Sequence, residues 1–163
     1  MSINLVEYKN VYDQIRLKQY DAALNILFDV KTNRLRKQFK QNVNHSWYIV
    51  GDIFFKKESY FDAINFLKKS LNTRPDDVQA LWAIADTYSE LAKPKLSERY
   101  YRKAIQYAKK NEDLMNLTYN LGNALFDQKR YEEAISCYEK IDNSMPNIYK
   151  LAQKNIELFT QDK

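Results

Sequence analysis

Glycine, proline and cysteine are all scarce in this chain. Its 163 residues include 2 glycines, 3 prolines and 1 cysteine. Because turns between strands draw heavily on glycine and proline, a protein built mainly of strands is disfavoured, and helices joined by short turns are expected. A single cysteine cannot form an internal disulfide, so the sequence gives no sign of an oxidising compartment.

Long apolar runs and catalytic motifs are also missing from the sequence. No apolar stretch approaches the roughly 18 residues that a membrane span needs, and the N-terminal segment MSINLVEYKN does not read as a signal peptide. The P-loop, dinucleotide-binding and zincin motifs do not occur, and neither His45 nor Cys137 has a partner residue that would suggest chemistry. We therefore expect a cytoplasmic protein that is not an enzyme and uses no metal or cofactor.

A spaced pattern of small residues runs through the chain. Pairs of small residues lie twelve positions apart, and a large side chain follows each pair four positions later. The first members of successive pairs are separated by 34 and then 37 residues, which predicts a helical-hairpin repeat with a three-residue insertion before its last copy. The pairs are Gly51 with Ala63, Ala85 with Ser97, and Gly122 with Ala134.

Both glycines stand within predicted helices, where glycine is less favourable than alanine by about 1 kcal/mol. Close approach of the two helices of a hairpin would offset this cost. The segments WYIVGDIFF, SYFDAINFLKKSLNTRP, LWAIADTY and YNLGNALF resemble the tetratricopeptide repeat in the order and spacing of their Trp, Gly, aromatic, Ala and Pro residues. Helix signals agree with this interpretation, because Ser59 and either Asp76 or Asp77 are suited to cap helices and Pro75 is suited to end one.

The resemblance implies an all-α fold, a right-handed superhelix of antiparallel helix hairpins in a single domain over residues 1–163. Three repeats are clear and a degenerate one precedes them, while a last helix covers the end of the array. The register of residues 31–44 stays open, since this segment could lengthen either neighbouring helix. The predicted divisions are 4–37 for the degenerate repeat, 44–77, 78–111 and 115–148 for the clear repeats, and 149–161 for the capping helix.

The resemblance also implies which residues bind a ligand. In this family the first helix of each repeat lines a concave groove, and fixed positions of that helix contact a peptide. An exposed row of aromatic side chains along such a groove is unfavourable in water unless something covers it. The groove positions in this chain are Tyr48, Asp52, Phe55, Trp82, Asp86, Glu90, Tyr119, Asn120, Asn123 and Phe126.

The groove positions carry more carboxylates than cations, which favours an apolar peptide with Lys or Arg beside its anchors. The family's clamp for a terminal carboxylate is absent, because Tyr48, Asn116 and Asn120 replace the cations it requires. We expect a non-enzymatic protein-interaction module, such as a small bacterial chaperone or adaptor. An inhibitor or immunity protein for a basic toxin is a variant of the same class.

Three other interpretations stay open at this point. A terminal helix could cover the aromatic row, or a second copy of the chain could do so, which would make the protein a self-associating structural subunit. The net charge of +5 raises nucleic acid as a partner, through basic segments at residues 31–40 and 93–110. A solvated basic face explains these segments better, since neither shows the base-stacking arrangement of a known RNA-binding module.

Overall fold

A computed structural model describes residues 5–29 and 31–161. Over these residues the chain is mainly helical, with one small two-stranded sheet, which confirms the all-α fold class. Residues 4 and 30 of the predicted degenerate repeat lie outside the described part of the chain. The chain divides into two compact units, residues 1–75 and residues 76–163.

The first unit contains two antiparallel helix hairpins. The first hairpin is formed by α1 (Leu5–Arg16) and α2 (Tyr20–Leu27), and the second by α3 (Val43–Lys56) and α4 (Tyr60–Thr73). Apolar side chains at helical spacing form the core of this unit. Burying one such side chain contributes about 2 kcal/mol to the free energy of folding. Among the fully buried residues are Tyr8, Leu27, Phe39, Ile49 and Ile53.

The segment that joins these two hairpins is not a helical extension. It contains a two-stranded antiparallel sheet of β1 (Phe28–Asp29) and β2 (Arg34–Leu35), followed by a 3-10 helix at Lys37–Lys40. The expectation that residues 31–44 lengthen a neighbouring helix is therefore wrong for most of this segment. The carboxylate of Asp29 accepts hydrogen bonds from the backbone amides of Lys31 and Thr32, and Phe39 anchors the 3-10 helix in the core.

The second unit contains two further hairpins and a long last helix. Its helices are α5 (Val78–Glu90), α6 (Pro94–Tyr107), α7 (Asn111–Phe126), α8 (Tyr131–Tyr138) and α9 (Pro146–Gln161). The three inserted residues lengthen α7 at its beginning, so that this helix has 16 residues where α5 has 13. The helix α9 packs on both α7 and α8 and begins at Pro146, earlier than residue 149.

The helix starts agree with the sequence in part. Asp77 caps α5, because its carboxylate accepts a hydrogen bond from the backbone amide of Ala80 at 3.1 Å. Pro94 occupies the first turn of α6, and Pro75 follows the end of α4. Ser59 stands at the start of α4, but its side chain makes no capping hydrogen bond, so that part of the prediction is wrong.

The first helix of each hairpin ends in the same way. Two or three residues after the end of each helix, one residue adopts a left-handed backbone conformation, and the amide of the next residue donates to a carbonyl five positions earlier. Glycine is the usual residue at such a position because it has no side chain to oppose it. Here the positions with φ of 58°, 60°, 52° and 61° are Lys18, Glu58, Ala92 and Lys129.

Candidate functional site

The predicted groove positions of the first unit lie on α3. Tyr48 is half-buried and its ring stacks on His45, with the ring centres 6.3 Å apart. The hydroxyl of Tyr12, on α1, is hydrogen-bonded to Nε2 of His45 at 2.8 Å. Burial, with further contributions from Tyr8 and Asp52, raises the pKa of Tyr12. The structure thus joins Tyr48 to an aromatic cluster that includes His45, to which the sequence assigned no role.

The polar positions of α3 are already paired within the chain. The ammonium group of Lys56 lies 2.5 Å from the carboxylate of Asp52, four residues earlier on the same helix. The half-buried ring of Phe55 packs against Tyr60, with the ring centres 5.8 Å apart. Asp52 therefore does not add a free negative charge to this surface.

In the second unit, α5 carries Trp82, Asp86 and Glu90. Trp82 is half-buried and Glu90 is exposed. The carboxylate of Asp86 accepts a hydrogen bond from the hydroxyl of Tyr101 on α6 at 2.6 Å. Burial raises the pKa of Asp86, and hydrogen bonds from Tyr101 and Trp82 only partly oppose this effect. Asp86 therefore joins α5 to α6 and also touches Trp82.

Of the predicted groove positions on α7, some contact the helix α9 and others face solvent. The side-chain amide of Asn155 on α9 donates to the hydroxyl of Tyr119 at 3.4 Å and to Oδ1 of Asn123 at 3.5 Å. Asn120 is half-buried, whereas Phe126 is 43% exposed. A terminal helix thus contacts part of the predicted aromatic row, as one of the alternatives proposed.

Phe126 belongs to a short chain of aromatic contacts that ends on α9. Its ring meets Tyr131 edge to face at 5.1 Å, and Tyr131 lies 4.7 Å from Phe159. These rings fix the last helix against α8 at the side of Phe126. This unit therefore exposes less aromatic surface than the sequence predicts for its groove.

The small residues predicted to pack the hairpins are all buried. A Cβ atom added to Gly51 would lie 2.6 Å from Cγ of Leu67, and one added to Gly122 would overlap the ring of Tyr138. The close approach is thus to the large residues sixteen positions later. The other members of the predicted set, equally without exposed surface, are Ala63, Ala85, Ser97 and Ala134.

Two interacting pairs that sequence reasoning missed have the same spacing. Tyr101 donates to Asp86, and Tyr138 donates to Oδ1 of Asn123 at 2.8 Å, fifteen positions apart in each case. Burial raises the pKa of Tyr138 to about 12. A search for polar residues fifteen positions before a tyrosine would have found both pairs.

A polar network joins α6 to the turn before α8. The carboxylate of Glu98 accepts hydrogen bonds from Arg102, Gln128 and Arg130. Burial acts to raise the pKa of Glu98, but these three donors outweigh it and the pKa is lowered. Arg130 also binds Glu133, so most of the charge in this network is compensated internally.

The remaining features concern metals and membranes. Within residues 5–29 and 31–161, no three His, Cys, Asp or Glu side chains are arranged to hold a metal ion. Over the same residues, no helix combines the length and hydrophobicity that crossing a membrane requires.

The chain has recognisable similarity to known proteins. Residues 78–111 and residues 117–141 each match the family described as Tetratricopeptide repeat. A 68-residue stretch is 38% identical to the type IV pilus assembly protein PilF of Pseudomonas aeruginosa, covering 42% of this chain and 26% of that protein. The chain therefore spans about a quarter of the length of this relative.

Solved structures of MamA proteins have a similar fold. A MamA crystal structure superposes with a TM-score of 0.65 at 15% identity, covering 95% of this chain and 79% of that one. A MamA structure from Desulfovibrio magneticus, comprising residue 41 to its end, gives 0.67 at 15% identity and covers 91% and 75%. At this level of identity the similarity concerns the fold.

Proposed function

Because the chain is a tetratricopeptide-repeat protein, and such repeats are protein-interaction modules, we propose that it binds a peptide segment of another protein. In the second unit, the binding surface consists of the first-helix positions on α5 and α7, with Trp82 as the main anchor. The observation that carries this proposal is the state of α5, whose Trp82 is half-buried and whose Glu90, about two turns further along the same helix, is exposed. A large aromatic side chain of this kind often contributes most to a peptide interface.

The polarity of the bound segment follows from the side chains around this anchor. Asp86 is held by Tyr101, which leaves Glu90 as the exposed carboxylate among the groove positions of this unit, and Asp127 is exposed at the residue after α7. These two groups support a segment with an apolar residue for Trp82 and a Lys or Arg beside it. Phe126 offers a second apolar contact, because it is partly exposed at the end of α7.

In the first unit, taken by itself, Tyr48 and Phe55 are half-buried aromatic side chains on α3 that offer a surface of the same kind. A small chaperone or adaptor would use these surfaces to hold an unassembled partner. An inhibitor of a basic protein would use the same surface and the same polarity. The proposal concerns the surface and its chemistry, which are shared by these roles.

A selection from a random peptide library tests this proposal. The immobilised protein should enrich sequences with an aromatic or aliphatic residue next to Lys or Arg. For the enriched peptides, Trp82→Ala should weaken binding about thirtyfold, which corresponds to the loss of about 2 kcal/mol. Titration calorimetry measures the affinity, and the fluorescence of Trp82 should change on binding.

A matched variant controls for the loss of an aromatic side chain. Tyr107 is exposed on α6, a second helix, and is not one of the first-helix positions. Tyr107→Ala should leave the affinity unchanged. Equal losses in both variants, or an enriched set without cationic residues, would reject the proposed surface. A mass that falls from dimer to monomer in Trp82→Ala would instead assign the surface to self-association.

A further inference from the structure

Apart from the proposed peptide-binding surface, a cleft lies between α6, α7 and α8, within residues 76–163. Its volume is about 440 Å³, which is in the usual range for a ligand pocket. The deepest lining residues, Met115, Leu121 and Cys137, are buried, and the half-buried side chains of Ile105 and Leu114 form apolar walls. None of these five residues is one of the predicted groove positions.

The inserted residues of the last clear repeat help to build this cleft. Leu114 belongs to the three residues that make the last spacing 37 instead of 34, and it stands in the lengthened beginning of α7. The insertion thus places an aliphatic side chain at the cleft. The insertion therefore shapes this cleft, which is not part of the peptide-binding surface proposed on α5.

The edge of the cleft is basic. Arg102 and Lys140 line it and are exposed. The exposed side of α6 continues this charge with Lys95, Arg99 and Lys103. An apolar cleft bordered by cations complements an aliphatic side chain that is flanked by carboxylates.

Glu98 and Glu133 lie close to Cys137 in the cleft, and both bind arginine side chains. Glu98 is shared by Arg102, Arg130 and Gln128, and Glu133 is bound by Arg130. Because Glu98 divides its charge between two guanidinium groups, it does not neutralise the edge. The charged side chains that line the cleft itself, Arg102 and Lys140, are both cationic.

We propose that this cleft is a second docking site, for an acidic peptide segment of a protein partner. The segment inserts a leucine-like side chain between α6 and α7 and places its carboxylates against Arg102 and Lys140. A protein partner is favoured over nucleic acid because no aromatic ring lines the cleft to stack on a base. The polarity is opposite to that proposed for the Trp82 surface, so the two sites would select different partners.

The probe for this site is a fluorescein-labelled peptide of sequence EDLLDDLE, measured by fluorescence anisotropy. Replacing its leucines with serine should weaken binding by about tenfold or more, since each buried leucine contributes about 2 kcal/mol. Reversing its charge to KKLLKKLK should weaken binding to a similar extent. Binding should also fall steeply with added salt, because the charges at the edge are exposed.

Paired variants of the protein locate the site. Arg102→Gln with Lys140→Gln should weaken binding of the acidic peptide about tenfold, as expected for two exposed ion pairs. Lys150→Gln with Lys154→Gln removes the same charge from exposed positions on α9 and should have no specific effect. Trp82→Ala should bind the acidic peptide normally, which separates this site from the first-helix surface.

The single cysteine gives an independent readout, because Cys137 lines the cleft. The acidic peptide should slow alkylation of Cys137 by iodoacetamide, and protein alkylated beforehand should no longer bind the peptide. The proposal is overturned if the acidic peptide does not bind, if the serine peptide binds equally well, or if the Arg102/Lys140 and Lys150/Lys154 double variants weaken binding alike. Protection of Cys137 by single-stranded oligonucleotide but not by peptide would also overturn it and assign the cleft to nucleic acid.

Discussion

At the residue scale, the two hairpins of the second unit make the same tyrosine hydrogen bond to different acceptor groups. A tyrosine hydroxyl on the second helix donates to a side-chain oxygen on the first, which is a carboxylate in Asp86 and an amide in Asn123. The geometry accepts either group, since both offer an oxygen. The difference is that burial of a charged group costs more than burial of a neutral one.

We expect Asp86→Asn to stabilise the protein at neutral pH. Burial raises the pKa of Asp86 above the ordinary value of 3.8, so the folded protein binds a proton more tightly than the unfolded chain. The free energy of unfolding is therefore reduced as pH rises through the raised pKa, and it recovers as pH falls towards the ordinary value. In urea unfolding, the free energy of unfolding of the variant should exceed that of the parent at neutral pH and equal it in acid.

The reciprocal change provides the matched control for this prediction. Asn123→Asp places a carboxylate before Tyr138, and it should lower the free energy of unfolding at neutral pH more than in acid. Tyr138 stays a donor, because burial raises its pKa to about 12. A stability gap for Asp86→Asn that does not change with pH would contradict the role assigned to burial.

At the scale of the element, the ends of the first helices are unusual. They adopt the left-handed turn that glycine ordinarily provides, yet the residues there are two lysines, a glutamate and an alanine. A residue with a side chain pays about 1 kcal/mol or more in this conformation. The hydrogen bonds of the turn and the packing of each hairpin hold it in place.

We expect Ala92→Gly to raise the free energy of unfolding by about 1 kcal/mol, because φ at Ala92 is 52° and glycine adopts this value without strain. Ala83→Gly makes the same chemical change inside α5 and should lower the free energy of unfolding by about 1 kcal/mol. Urea denaturation of the two variants compares these outcomes. A loss of stability in both would show that the turn conformation is not the controlling factor.

The segment between α2 and α3 shows where reasoning from patterns fails at this scale. Its cationic residues are compatible with a helix, and no glycine or proline marks a turn. The hairpin depends instead on the Asp29 carboxylate and on burial of Leu35 and Phe39 in the core. The Asp29 hydrogen bonds are local but add no periodic signal, and the burial of Leu35 and Phe39 depends on residues distant in the sequence.

At the scale of the whole molecule, the chain consists of two compact units, and each has one glycine in a close helix pair. Gly51 meets Leu67 in the first unit, and Gly122 meets Tyr138 in the second. Alanine at either position would favour its helix by about 1 kcal/mol but would overpack the contact by about 1–3 kcal/mol. In repeat proteins the contacts are made between neighbours, so the damage should remain local.

We therefore expect hydrogen exchange to locate each substitution. Gly51→Ala should increase amide exchange mainly within residues 5–75, and Gly122→Ala mainly within residues 76–161. The pair controls for the chemical change, because the same methyl group is added in both. A uniform increase across the described residues in either variant would show that the chain unfolds as one cooperative unit.

The helices that carry the candidate site could be predicted, because small residues recur along the sequence at a fixed spacing. The spacing of Gly51, Ala85 and Gly122 sets the register of the first helices, and the resemblance to the tetratricopeptide repeat implies that Trp82 and Tyr119 are groove positions. The charge of the surface was less predictable. Whether Asp52 and Asp86 face a ligand or an internal partner depends on Lys56 and Tyr101, and the spacing pattern does not report those contacts.

The sequence by itself determined the all-α hairpin fold, since small residues and large partners recur at spacings that only paired helices bring together. Tertiary structure decided the details of each surface. It placed Asn155 against Tyr119 and Asn123, paired the carboxylates, and formed the cleft beside Cys137. The physical reason is that periodicity encodes which side of a helix is buried, whereas exposure and charge depend on side chains that meet from distant parts of the chain.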